Sequence, residues 1–351
     1  MRIVLITPDG PTKRTGNRVA ALRWSRILRG LGHTVRIAAD YDGRPADLMV
    51  AVHAWRSAGA IARFKALHPG RPVVLQLSGT DIYEYLRTDP VPTLRSMALA
   101  DRLVGLNDLA GKAVPRRFRK RLRIIHQSAE PPARTRRPDR RAIVVAVIGH
   151  LRDVKDPLRA AEAARLLPAG SRLRIEQVGR AYTPHWAARA RAEMTANERY
   201  RWRDDVPPAA VRALLARCHA MVISSVNEGG ANVISEAAVA GVPVLASRMD
   251  GNVGLLGGDY PGYFPVGDTQ ALARLLGKLE QEPSFAARLA RAVGRRAPLF
   301  RPARERAAWR RLLAELARAF PDSRAVRGKS EGVSVQAPRP RQGDRSMKGA
   351  S

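Results

Sequence analysis

Residues 223–246 read Ile-Ser-Ser-Val-Asn-Glu-Gly-Gly-Ala-Asn-Val-Ile-Ser-Glu-Ala-Ala-Val-Ala-Gly-Val-Pro-Val-Leu-Ala. Short apolar runs with strand character lie at 220–224 and 243–247, and a turn at 227–230 follows the first. Then comes a helix-forming segment, 232–240, which Gly241 stops. Strand, loop, helix and strand in that order form the crossover unit of a parallel sheet. Gly229 and Gly230 leave backbone N–H groups bare at the helix start, where the helix dipole adds positive potential. A phosphate is the natural guest of such a site.

Two carboxylates, Glu228 and Glu236, flank this anion site eight residues apart. A carboxylate beside a diphosphate would repel it, so both must face something neutral. Sugar hydroxyls fit: one acid accepts from a ribose diol and the other from the hydroxyls of a transferred sugar. Phosphate, ribose and hexose together describe a nucleotide-sugar. The bland reading is a doubly wound sheet with a tight Gly-Gly turn and solvated acids.

The acids, glycines, helix and following Gly-Val-Pro-Val strand resemble the Glu-x7-Glu donor site of GT-B glycosyltransferases, family four in particular. Three further stretches are similar to the selenosugar synthase branch of that family: 15–24 (Thr-Gly-Asn-Arg-Val-Ala-Ala-Leu-Arg-Trp), 78–83 (Ser-Gly-Thr-Asp-Ile-Tyr) and 251–264. The resemblance covers roughly residues 1–320. It implies an α/β GT-B fold, two doubly wound Rossmann-like domains facing across a cleft. It also implies donor binding by Glu228, Gly229, Gly230, Ala231, Asn232, Val233 and Glu236. The implied activity is transfer of glucose or N-acetylglucosamine from a UDP-sugar to selenophosphate, inverting at the anomeric carbon and with no metal or other cofactor.

At 351 residues the chain has the length of two ordinary domains, and its 45% hydrophobic content supplies real cores. The single cysteine, Cys218, rules out an intrachain disulfide framework and suits a reducing cytoplasm. It falls in the helical run 209–219, where a buried inert thiol is the expectation. Arg2-Ile-Val-Leu-Ile reads as a first strand rather than a leader, and the apolar run 142–148 is too short to span a bilayer. Net charge is +31, and of the 62 basic residues only 8 are lysine, leaving 54 arginines. Such a surface attracts nucleic acid or anionic membrane. Yet aromatics make up only 5%, and no basic stripe interleaves with stacking residues as single-strand binding favours. A solvated arginine-rich surface that also suits anionic substrates is the reading, without a specific nucleic-acid partner.

Apolar runs at 3–6, 35–38, 48–52, 73–77, 103–106 and 123–125 alternate with helical segments, including 18–31 and 57–67, as in a parallel sheet wrapped by helices. The expected organisation is an acceptor-side domain at 1–133, a Pro- and Arg-containing linker at 134–142 and a nucleotide-sugar domain at 143–302. A helix at 303–320 would return to the first domain, and the polar, aperiodic tail 321–351 would be disordered.

After the strand at 143–149 the chain reads His150-Leu-Arg-Asp-Val-Lys-Asp-Pro157. Asp156 reads as a helix cap with Pro157 in the first turn, which puts Arg152 and Lys155 at the cleft to neutralise a leaving diphosphate. By the resemblance, Lys155 matches the family's lysine, whereas His150 stands where the family carries arginine; Arg152 is the candidate substitute. The loop 7–18 lacks a dinucleotide fingerprint, its glycines being six apart, although Asp40 could still hold an NAD ribose. A better use is anion capture by the Gly16 and Asn17 amides with Lys13, Arg14 and Arg18, of which Arg18 in the first helical turn is the most rigid. In the resembled branch the anion is selenophosphate. His53 and Asp81, both at strand ends, are the candidates for base or orienter. Gly79-Thr80 lets Asp81 approach the cleft, and His53 reads equally well as an interior histidine. Asp40-Tyr-Asp42 satisfies a metal-holding pattern that solvated turn acids also satisfy, and the remaining histidines lack metal-ligand spacing. Two other functions stay open: a family-four transferase acting on a lipid or envelope acceptor at a membrane surface, and a non-catalytic anion- or RNA-binding protein.

Overall fold

The computed structural model describes residues 1–10, 15–132 and 136–321. The expectations for Lys13, Arg14, the linker start at 134–135 and a disordered tail beyond Pro321 lie outside these residues. Six strands form the first sheet: β1 (Arg2–Ile6), β2 (Thr34–Ala38), β3 (Leu48–Val52), β4 (Val73–Gln76), β5 (Arg102–Gly105) and β6 (Leu122–Ile124). Six form the second: β7 (Ile143–Ile148), β8 (Leu173–Val178), β9 (Tyr200–Trp202), β10 (Ala220–Ile223), β11 (Val244–Ser247) and β12 (Tyr263–Phe264). Every pairing between these strands is parallel. Helices cover both faces, so strands such as Leu48-Met-Val-Ala-Val52 are buried throughout and read as unbroken apolar runs rather than alternating ones.

Strand order positions the site. The first sheet runs β2-β1-β3-β4-β5-β6, so connections leave in opposite directions from β1 and β3. The second runs β12-β11-β10-β7-β8-β9 and reverses between β7 and β10. Crevices open at the carboxyl ends of strands at such switch points. The loops after β1, β3, β7 and β10 carry Asp9, His53, Lys155 and Glu228, and all four line one cavity.

The C-terminal helix, Pro302–Ala319, packs on the first sheet. Trp309 is fully buried and meets Trp24 edge to face, ring centroids 4.6 Å apart, while Leu312, Leu313 and Leu316 complete the same core. Glu305, 1% exposed, accepts hydrogen bonds from Trp24 Nε1 at 2.7 Å and Ser128 N at 2.9 Å and pairs with Arg23 at 3.1 Å. A buried carboxylate is tolerable only with partners of this kind. Glu315 binds Arg102 and Arg123 at the sheet's far edge.

Three local readings change. The first long helix is Gly16–Gly30, two residues earlier than its apolar pattern implies, because the Thr15 hydroxyl caps it by accepting from Arg18 N. Asp156 does not cap the following helix: its backbone is left-handed (φ 44°) at the end of a 3-10 turn, and its carboxylate binds Arg159 Nε at 2.7 Å. Cys218 stands just past the helix Pro208–Arg217 and is fully buried, with its thiol pushed up to about 12 by desolvation. No helix among the described residues is long and apolar enough to cross a membrane.

Removing the Trp309 indole should leave a large cavity at the Trp24 contact. Trp309→Ala is expected to destabilise the N-terminal half by about 3–5 kcal/mol, read as a lower denaturant midpoint of near-ultraviolet circular dichroism. An unchanged midpoint would mean the C-terminal helix contributes nothing to that core.

Candidate active site

A cavity of about 710 Å³ separates the two sheets and is lined from both halves. Its floor is a contact between backbones. Gly79 has φ 121°, and a β-carbon there would lie 2.5 Å from Gly229 N; one on Gly229 would lie 2.4 Å from the Ser78 carbonyl carbon. A β-carbon on Gly230 would meet Leu106 Cβ at 2.4 Å. Only glycine fits at these positions, and Asn107 Nδ2 donates to Gly229 O at 2.7 Å across the same boundary. The glycines thus serve close approach of the other half as well as leaving the helix start bare.

The C-terminal half brings together all the residues read as donor-binding. Glu228, Gly229, Gly230, Ala231, Asn232, Val233, Glu236, Arg152 and Lys155 line the cavity. The helix Asn232–Val239 starts at its edge, with Ala231 as the cap residue. Lys155 and Glu228, assigned to different substrate groups from sequence, are an ion pair through Glu228 Oε1, which also accepts from Ser225 Oγ at 2.6 Å. Oε2 of Glu228 makes no hydrogen bond to a described residue. Glu236 makes no hydrogen bond to a described residue, and desolvation raises its carboxyl above the ordinary value against the pull of Arg23 and Arg212. Arg152 lies over the Tyr182 ring, 5.7 Å from its centroid. The His150 ring also borders Tyr182, at 6.3 Å.

On the N-terminal side two of the expected residues lie off the cavity. Asp81 is fully buried and does not line the cavity. Its oxygens accept from Ala54 N at 2.8 Å, Ser78 N at 2.9 Å and Gly79 N at 2.8 Å, so it pins two loops rather than facing the cavity. Arg18 is likewise absent from the lining, whereas Gly16 and Asn17 are present. Val19, Arg23 and Arg26 recur at i, i+4 and i+7 and line the cavity, a face that Arg18 does not share. Arg23 crosses the boundary, its Nη1 donating to Asn232 Oδ1 at 3.2 Å.

His53 does line the cavity, with a left-handed backbone (φ 73°) and 2% exposure. Burial pushes its imidazole below the ordinary value, opposed by the Asp81 carboxylate. Arg23, Arg26, Arg56, Arg136 and Arg212, with Asp9 and Thr80, are lining residues that sequence reasoning missed. The i, i+4, i+7 spacing from Val19 was the available signal for two of them. Asp40 and Asp42 are occupied by Arg63 and Arg36. No cluster of three His, Cys, Asp or Glu suited to a metal occurs among the described residues.

Two doubly wound parallel sheets facing across a cleft of this kind are a GT-B fold. The model of the family Glycosyl transferases group 1 matches residues 132–296, within the C-terminal half. No curated protein matches the chain significantly. Among solved structures the chain is similar to Anabaena HepE in complex with UDP and glucose, with TM-score 0.72 and 15% identity, over 90% of this chain and 100% of that one. It is similar to sucrose-phosphate synthase of Thermosynechococcus elongatus, with TM-score 0.72 and 14% identity, over 91% and 99%. It is also similar to a glycosyltransferase of Rickettsia africae, with TM-score 0.70 and 12% identity, over 90% and 98%.

A methyl group at the cavity floor must force the halves apart. Gly229→Ala is expected to lower donor turnover at least about tenfold while far-ultraviolet circular dichroism stays near that of the parent. Full turnover in this variant would show that the floor contact is dispensable.

Proposed function

We propose that the protein transfers a hexose, glucose or N-acetylglucosamine, from a UDP-sugar to the selenium of selenophosphate. The observation that carries the reading is the single cavity in which Glu228, Lys155, Glu236 and the Asn232 helix start face Arg23, Arg26 and Arg56. HepE, of the same fold, binds UDP-glucose. The diphosphate would sit on the amides at 229–233 and on the remaining N–H groups of Lys155. Glu236 would accept from the ribose diol, and Oε2 of Glu228 from hydroxyls of the sugar. Selenium supplies an electron pair to the anomeric carbon, and the C–O bond to UDP breaks with its pair going to the β-phosphate. One-sided attack on an α-linked donor inverts the centre. Selenophosphate is ionised at neutral pH, so positioning and charge stabilisation carry the rate rather than a general base. The acceptor-side arginines and the sequence likeness to the selenosugar synthase branch support the choice of acceptor.

Mass-spectrometric detection of a selenium-containing sugar from UDP-glucose or UDP-N-acetylglucosamine plus selenophosphate tests this reading. Product should form equally in EDTA, because helix amides and Lys155 offer the diphosphate its counter-charge. No selenosugar from either donor would defeat the acceptor assignment, and loss in EDTA reversed by Mn²⁺ would defeat the metal-independent one.

Glu236→Ala is expected to weaken UDP binding by about 1–3 kcal/mol, because the ribose diol loses its acceptor. The contribution also depends on pH. Protonation removes the accepting carboxylate, and the raised value of Glu236 places that loss above the ordinary 4.5. Calorimetry down a pH series should therefore show UDP affinity falling early in the parent and not in Glu236→Gln. Equal affinity and parallel pH profiles would remove Glu236 from the donor site.

A further inference from the structure

A row of hydrogen bonds on the N-terminal wall of the cavity is left unused by the donor assignment. The Arg56 backbone N–H donates to His53 Nδ1 at 3.3 Å. That nitrogen is an acceptor, so a neutral ring carries its proton on Nε2. Nε2 lies 2.9 Å from Thr80 Oγ1 and therefore donates to it. A hydroxyl has one proton and two lone pairs, and His53 fills a lone pair. The Thr80 proton has no described acceptor, and Thr80 lines the cavity.

The ring's surroundings keep it neutral. His53 is 2% exposed, and desolvation is the largest influence on its titration, reinforced by Arg56 and opposed by Asp81 and Asp9. With one ring nitrogen accepting and the other donating, no lone pair is left to take a proton from a substrate. His53 is thus a positioning residue. Thr80 immediately follows Gly79, whose backbone packs on Gly229. Its hydroxyl therefore stands at the junction where the two halves, and the two substrates, meet. Beside it Arg56 lines the same cavity, with a side chain 40% exposed and one guanidinium nitrogen 3.4 Å from Asp9 Oδ1.

We propose that Thr80 binds an anionic oxygen of the acceptor through its hydroxyl, that neutral His53 fixes the direction of that hydroxyl, and that Arg56 supplies the neighbouring positive charge. This rests on the reading that the acceptor is a small phosphate-like anion. A threonine hydroxyl held from behind by a neutral histidine is an obligate donor, which selects acceptor oxygens over hydroxyl protons. Arg56 then favours oxygens that carry charge.

The test uses inorganic phosphate as the probe, titrated calorimetrically into the full-length protein saturated with UDP, so that it does not depend on selenium chemistry. Phosphate should bind the parent, and Thr80→Val and Arg56→Met should each weaken it at least about fivefold. Thr80→Ser should bind within about twofold of the parent. His53→Gln, whose amide can still donate to Thr80, should retain binding, whereas His53→Leu should lose as much as Thr80→Val. A long-range proton–nitrogen spectrum of histidine-labelled protein, assigned with His53→Gln, should show the Nε2–H tautomer at neutral pH. An Nδ1–H tautomer, an imidazolium, absence of phosphate binding or undiminished binding by Thr80→Val would each overturn the proposal. If phosphate behaves as stated but no selenosugar forms, the identity of the acceptor fails and the Thr80 site stands.

Discussion

Two glycines facing each other across the boundary set the geometry of the cleft. The Ser78-Gly79 turn and the Glu228-Gly229-Gly230 turn approach so closely that a β-carbon on either Gly79 or Gly229 would sit about as far from the opposing backbone as a covalent 1,3 neighbour. Glu228 stands one residue before this contact and Thr80 one residue after it, so two chemically active side chains from separate sheets enter the same cavity. Asn107 locks the contact by donating to Gly229 O, and Gly254 is bare because that asparagine fills its space. Strand topology brings the turns to the same end of each sheet, but the absence of side chains lets them touch.

A second constraint acts from behind. Glu305 on the returning helix holds Trp24, Arg23 and Ser128, and Arg23 reaches on to Asn232 at the head of the helix that follows Gly230. A single buried carboxylate therefore couples the C-terminal helix, the first long helix and the start of the helix Asn232–Val239. Its burial would be costly without those donors, and with them it fixes the first long helix against the second half. The face of that helix bearing Val19, Arg23 and Arg26 becomes a wall of the cavity.

Much of this was legible because buried parallel strands are apolar without alternation. Leu48–Val52 is buried throughout and reads as a strand without alternation, and the glycine-marked crossover after β10 announces the start of the helix Asn232–Val239. What sequence could not supply was rotation and direction. Arg18 stands in the first helical turn, yet Arg23 and Arg26, one and two turns further on, line the cavity instead. Asp81 lies at the right strand end, but unsatisfied amides of Ala54, Ser78 and Gly79 claim its oxygens, a demand set by loop geometry rather than by local pattern. Lys155 and Glu228 are 73 residues apart, and no periodicity announces that they pair. The tautomer of His53 depends on an Arg56 amide that only a left-handed backbone brings into reach.

The central claim is that the C-terminal wall of the cavity is a nucleotide site and the N-terminal wall faces its leaving group. A crystal structure of the UDP complex tests this most directly. The account predicts the ribose diol on the Glu236 carboxylate and the β-phosphate over the amides of 229–233 beside Lys155, with the Gly79–Gly229 contact kept. A diphosphate lodged instead among Arg23, Arg26 and Arg56, with Glu236 untouched, would contradict it.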